Sequence, residues 1–173
     1  MAESDLQTII QTINLYGIAV DSERWELFDR IFTKDVDAYF SETAHWRDLA
    51  QFKNDFAVFH SIFDSTQHTM SNHLVDVSGD TAHAFTYGNW RLIRKATPGG
   101  DLWEGTGWYD DDLSRTERGW RIKRRQCKVV WWGGNGGVQE VDPGVKFVLN
   151  LLSVKGEDKA GKVGYLNAIS TRK

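Results

Sequence analysis

Two short stretches carry the residue types that could move a proton: Tyr16-Gly-Ile-Ala-Val-Asp21 near the start, and His68-Thr-Met-Ser-Asn72, which begins 47 positions after Asp21. A neutral imidazole, with an unperturbed pKa of about 6.5, is a usable base at neutral pH. A carboxylate on its other ring nitrogen fixes the tautomer and stabilises the imidazolium that forms. If the first stretch ends a helix and the second is a strand, Asp21 and His68 meet in one pocket as a general base for a weakly acidic C–H or O–H. A phenol or a guanidinium nearby would then stabilise the developing anion, a contribution of roughly 2.7 to 4 kcal/mol by analogy with an oxyanion-hole donor. The plainer account of Asp21 is that it, or Ser22, caps a second helix.

The elements that must position these residues follow from periodicity. Leu6, Ile9, Ile10, Ile13, Ala19 and Val20 recur at three- and four-residue spacing with Tyr16 among them, which predicts an amphipathic helix from Asp5 to about Val20 with Ser4 as its N-cap. A second helix carries Trp25, Phe28 and Phe32 and ends near Thr33-Lys-Asp35, after which Val36 to Phe40 reads as a strand. A third, from about Arg47 to Phe63, places Leu49, Phe52, Phe56, Phe59 and Phe63 on one stripe that packs on a sheet, with His60 beside it at the surface or boundary. The period then changes. Gln67–Val77, Thr81–Lys95, Leu102–Leu113 and Gly119–Trp132 are strand-like and joined by turn-forming segments, which predicts an antiparallel meander. In the last of these, Trp120 and Ile122 are apolar at even positions while Cys127, Val129 and Trp131 are apolar at odd ones. A β-bulge between Lys123 and Gln126 would switch the parity and draw Arg125 inward beside Trp131, its charge met there by a substrate anion or by a carboxylate such as Asp111. The expected fold is α+β: three N-terminal helices packed in a strongly curved, mostly antiparallel sheet that forms a cone-shaped cavity. Residues 1–133 would form this domain. Residues 134–173 would be an extension, glycine-rich at first, with a short apolar helix over Val145–Val154 and a polar tail that is partly disordered, closes the cavity as a lid or reaches a neighbouring subunit.

Composition narrows the function classes. The 173-residue chain has a net charge of −3, and its basic residues form no stripe apart from Arg121–Lys128, which alternates with apolar residues as a strand does, so no nucleic-acid partner is expected. The N-terminal stretch lacks a signal-peptide h-region and nowhere do 18 apolar residues run together, which points to a cytoplasmic protein with no membrane association. The single Cys127 excludes an internal disulfide and reads as core filler. No His, Asp or Glu cluster has metal-site spacing, since His68 and His73 face opposite sides of a strand, and Gly133-Gly-Asn-Gly-Gly137 opens no clear helix. Neither a metal nor a cofactor is expected. Eight tryptophans, nine phenylalanines and five tyrosines either pack helices on the sheet or shape a cavity for a flat apolar ligand.

The order of elements, with Tyr16…Asp21, Trp25-Glu-Leu-Phe28, Asp35-Val36, the run His68–Ala82 and Gly119-Trp-Arg-Ile-Lys-Arg-Arg125, resembles the SnoaL-like branch of the nuclear-transport-factor-like, cystatin-like superfamily over roughly residues 4–133. The resemblance implies a conical cavity, cofactor-free proton transfer and a homo-oligomer, dimer or trimer. It gives Asp21 and His68 the places of the acid and histidine of an Asp-His dyad, Tyr16 that of a catalytic tyrosine or lysine, and Arg125 that of an arginine facing the leaving group. Tyr39, His45, Asn72, Tyr87 and Trp131 are expected to bind the substrate. The expectation is a lyase that eliminates water, or formaldehyde, from a hydrophobic, aromatic small molecule. The same machinery would serve an isomerase, and the branch's superfamily also contains non-catalytic assembly modules such as oxygenase small subunits.

Overall fold

The chain is described by a computed structural model over residues 4–141 and 149–171. Helix α1 (Asp5–Asp21) opens with a reciprocal capping box in which the Ser4 hydroxyl accepts from the Gln7 amide and the Gln7 side chain accepts from the Ser4 amide. Its apolar face, with Ile9, Ile13, Tyr16 and Val20, is fully buried. The second helix is shorter than its aromatic spacing predicts. A 3-10 turn over Trp25–Leu27 leads into one turn of α2 (Phe28–Ile31), and strand β1 (Phe32–Ser41) begins where a longer helix was expected. Phe32 thereby stays in the core as the first residue of a strand. A three-residue strand β2 (Ala44–Trp46) folds back on β1, and α3 (Leu49–His60), N-capped by Asp48, buries Leu49, Phe52 and Phe56.

Four long strands follow: β3 (Ser65–Ser78), β4 (Thr81–Ile93), β5 (Leu102–Thr116) and β6 (Gly119–Gly134). They pair antiparallel in sequence order, β1 closes on β6 in parallel, and the order across the sheet is β2-β1-β6-β5-β4-β3. The result is a six-stranded, curved and unclosed mixed sheet holding α1 and α3 against its inner face. A 3-10 turn (Gly136–Gln139) follows β6, and the end of the chain forms α4 (Val154–Lys159) and α5 (Gly164–Ser170) on the outer face. There Lys128 Nζ donates to Glu157 and to the Lys162 carbonyl, and Asp110 accepts from the Gly164 amide. Residues 145–148 of the apolar helix expected over Val145–Val154 lie outside the described residues; 149–153 are not helical, and Val154 is the first residue of α4. Among the described residues no helix is long and apolar enough to cross a membrane.

The parity of β6 switches twice. Asp112 pairs with Arg124 and Leu113 with Ile122, which leaves Lys123 as the extra residue of a bulge; beyond it Arg125 turns into the core, as the pattern requires. A second shift pairs Thr106 with Trp131 and Gly107 with Val129, leaving Val130 over. That close approach is possible because residue 107 is glycine: a Cβ there would collide with the Lys128 carbonyl. The second bulge sends Trp131 out of the interior, where it stands 49% exposed and not beside Arg125.

Arg125 is fully buried, with Nε and Nη2 bonded to the Asp111 carboxylate at 2.8 and 2.6 Å. Its guanidinium carbon lies 4.4 Å from the Tyr16 ring centre and 4.3 Å from that of Tyr109. Burial works against the guanidinium's charge, and Asp111 more than offsets it. Of the two accounts of this arginine the ion pair is therefore the one with a geometry on both sides. Removing one member of a buried pair strands the other, a cost of about 3–5 kcal/mol, whereas replacing both with apolar groups is often neutral. Arg125→Met should lower the melting temperature by roughly 10 °C, and Arg125→Met with Asp111→Leu should recover most of it. An unchanged melting temperature in the single variant, read by thermal denaturation, would contradict a structural pair.

Candidate active site

Asp21 is the last residue of α1, and β3 runs past it so that its carboxylate is used on both oxygens. Oδ1 faces His68 Nδ1 at 2.7 Å and accepts from the Thr66 hydroxyl at 2.8 Å; Oδ2 accepts from the His68 backbone amide at 2.8 Å. The helix comes this close because residue 17 is glycine. A Cβ there would sit 3.0 Å from the His68 carbonyl oxygen and 3.3 Å from its Cβ, so an alanine would push the histidine away. Burial pushes the Asp21 pKa up, but the hydrogen bonds and charge of His68, with Thr66, outweigh it, and the group titrates below the ordinary carboxylate value. A carboxylate at Nδ1 demands the proton on that nitrogen, which leaves Nε2 with a free lone pair. The side chains of His68 and Asp21 are only 7% and 21% exposed.

His68 and Tyr16 line a cavity of about 100 Å³ inside the cone, whose walls include Phe40, Phe56, Phe59, Trp90, Trp103 and Tyr109. Tyr16 stands edge-on to His68, with ring centres 6.1 Å apart. Burial raises the pKa of both Tyr16 and Tyr109, so each is a neutral phenol able to donate. The indole of Trp90 donates to the Tyr109 hydroxyl at 2.8 Å. Cys127 also lines the cavity, and burial pushes its thiol up to about 12, which makes it filler and not a nucleophile. A larger cavity of about 630 Å³, lined by Tyr39, His83, Asp112, Lys128 and the C-terminal segment, shares Phe40, Cys127, Val129 and Leu149 with the first, although neither Asp21 nor His68 lines it.

Two other His–carboxylate pairs show what sets Asp21–His68 apart. His45 meets Asp37 at 2.5 Å and His83 meets Asp112 at 2.7 Å, yet these pairs are partly exposed and Asp112 is shared with Arg124. Water competes for both. The His83–Asp112 pair lines the larger cavity among charged groups such as Arg124 and Lys128, whereas His68 faces a wall of apolar and aromatic side chains.

The five residues expected to bind substrate do not reach this cavity. On β1, Val36 and Ala38 are buried and Phe40 lines the cavity, so Tyr39 points to the opposite face, where its ring meets His45 across the β1–β2 pair. On β4, Trp90 and Leu92 face inward, which turns Tyr87 outward onto Phe85. Asn72 has a positive φ of 50° at a bulge in β3 that turns it to an outer groove with His73 and Tyr87. Trp131 is displaced by the Val130 bulge. Arg125 lies behind the Tyr16 and Tyr109 rings without lining the cavity.

His60 corrects another expectation. It is 4% exposed, not at the boundary, with Nδ1 on the Phe56 carbonyl at 2.8 Å and its ring 6.3 Å from that of His68. The signal was its helical spacing from Phe56 and Phe63. Tyr109, Trp90 and Gln139 are further cavity residues that the sequence reading missed; of these, Trp90 carries a legible sign in its parity with Leu92.

A family model described as a SnoaL-like domain matches residues 3–126. An uncharacterised protein of Mycobacterium tuberculosis is 32% identical over 132 residues, covering 70% of this chain and 83% of its own. A structure from Novosphingobium aromaticivorans, provisionally assigned as a scytalone dehydratase, aligns at 18% identity with a TM-score of 0.67, over 74% of this chain and 85% of that one. A hexachlorocyclohexane dehydrochlorinase aligns at 15% identity with a TM-score of 0.62, over 80% of this chain and 92% of that one. At such identities the structural likeness establishes the fold, which is the NTF2-like, cystatin-like one.

Burial lowers the pKa of His60 to about 4. The unfolded chain therefore binds a proton that the folded protein refuses as pH falls from 6.5 toward 4. Stability is lost in that window by about 3 kcal/mol, above the range where Asp21 begins to protonate. Thermal melts across pH 4–7 should show this loss, and His60→Leu should flatten it; an equally steep profile in the variant would mean that another group is responsible.

Proposed function

The chain belongs to the SnoaL-like domain family, and we propose that it is a cofactor-independent lyase in which Asp21 and His68 form the general base. The observation that carries the reading is the carboxylate seated on Nδ1 of a histidine whose ring lines an apolar, aromatic cavity. In such a site His68 Nε2 takes a proton from the carbon adjacent to the one that bears the hydroxyl, the C–H electrons form the double bond between those two carbons, and the C–O bond breaks. The imidazolium then returns its proton to the departing hydroxide, so water leaves and the histidine is restored. No cofactor enters this balance. Asp21 stabilises the imidazolium formed within a low-dielectric wall, and Tyr16, held neutral, donates to the oxygen on which charge develops. Water is the default leaving group; formaldehyde, lost with cleavage of a C–C bond, uses the same base. The aromatic walls suit a hydrophobic, aromatic or alicyclic substrate.

A panel of aromatic and alicyclic β-hydroxy ketones, followed by the absorbance of the conjugated product, tests the reaction. His68→Ala should lower turnover by roughly 10²- to 10⁴-fold with the fold retained, and Asp21→Asn should lose less, since it keeps the base but not the orienting charge. Full activity in both variants would remove the dyad from the mechanism. Binding without turnover in the wild type would favour a non-catalytic module.

A further inference from the structure

Gln139 is a cavity residue whose chemistry the lyase reading leaves unused. It ends the 3-10 turn after β6, is 7% exposed, and lines the same cavity as His68. Its side-chain amide has no hydrogen-bond partner among the described residues. The same cavity is walled by apolar residues such as Trp103, Leu149, Val129, Leu92 and Phe59. Holding the turn in place does not require it, since the neighbouring Val138 is fully buried and Arg94 Nη1 donates to the carbonyl of Glu140 at 2.7 Å. The amide keeps some exposed surface and opens onto the cavity, where an oxygen of a bound ligand would take the place of the water it meets.

We infer that Gln139 is a ligand-orienting residue whose amide binds a hydroxyl or carbonyl oxygen of the molecule in the cavity, a second polar point beside the dyad. The inference rests on the cavity being the site of the proposed reaction. It narrows the ligand to an apolar ring system bearing one such oxygen in addition to the group on which the dyad acts. An amide both donates and accepts, so it serves a phenol, an alcohol or a ketone, while a hydrocarbon of the same shape leaves it unpaired. Gln139 lies beyond residues 3–126 that match the family model, so this selectivity belongs to the segment after β6 and not to the shared domain.

Calorimetric titration with p-cresol and p-xylene tests this, because the two probes differ by one hydroxyl in place of a methyl. The wild type should prefer p-cresol, and Gln139→Leu should reduce that preference by about 3- to 10-fold, with p-xylene binding kept or tightened. Without ligand the variant should melt close to the wild type, because the amide holds no hydrogen bond within the described residues; Gln139→Met serves as the second variant should leucine fail to fold. A wild type with no preference, or one that binds neither probe, overturns the inference. So does a preference that survives in Gln139→Leu and disappears in His68→Ala, which would place the oxygen at the dyad. A Gln139-dependent preference in a protein without His68-dependent turnover would keep the inference and sink the lyase reading, so the two failures are distinct.

Discussion

The Asp21 carboxylate is the joint on which the site depends. It stands at the end of α1 and holds β3 by three bonds, to the Thr66 hydroxyl, the His68 amide and the His68 ring. One group thus docks the helix to the sheet and sets the histidine's tautomer. A half-buried carboxylate without those donors would pay its desolvation unopposed; with them it is held ionised below the ordinary range. The requirement propagates backward to Gly17, whose missing Cβ allows the approach, and to the capping box at Ser4, which fixes where the helix begins.

A second joint, Arg125–Asp111, supports the first from behind. The guanidinium packs against both the Tyr16 and Tyr109 rings, so the phenol beside His68 rests on a buried charge that Asp111 balances. The Lys123 bulge delivers Arg125 to that place. Arg125 contacts the backs of two rings that line the cavity and does not line the cavity itself.

Much of this was legible in the sequence, for physical reasons. Strong periodicity in α1 and the long strands gave their extents to within a few residues, and the pairing of Asp21 with His68 follows once a helix end meets a strand start. The apolar parity break in β6 revealed the Lys123 bulge. What failed were features set by tertiary context. The Val130 bulge depends on Gly107 of the neighbouring strand, so nothing local to Trp131 announces that it turns outward. Tyr39 and Tyr87 stand on the other face of their strands from Phe40 and Trp90, as strand alternation requires, and line other grooves. α2 shrank to a single turn because β1 extends to Phe32 in order to pair with β6. Gln139 was hidden in a glycine-rich stretch that offers no period to read.

The most direct measurement is the tautomer of His68, read from imidazole ¹⁵N chemical shifts at neutral pH. The account predicts one His68 ring with the proton on Nδ1 and a bare Nε2, and loss of that preference in Asp21→Asn. A proton on Nε2, or an even mixture of tautomers in the wild type, would contradict the claim that Asp21 prepares His68 as a base.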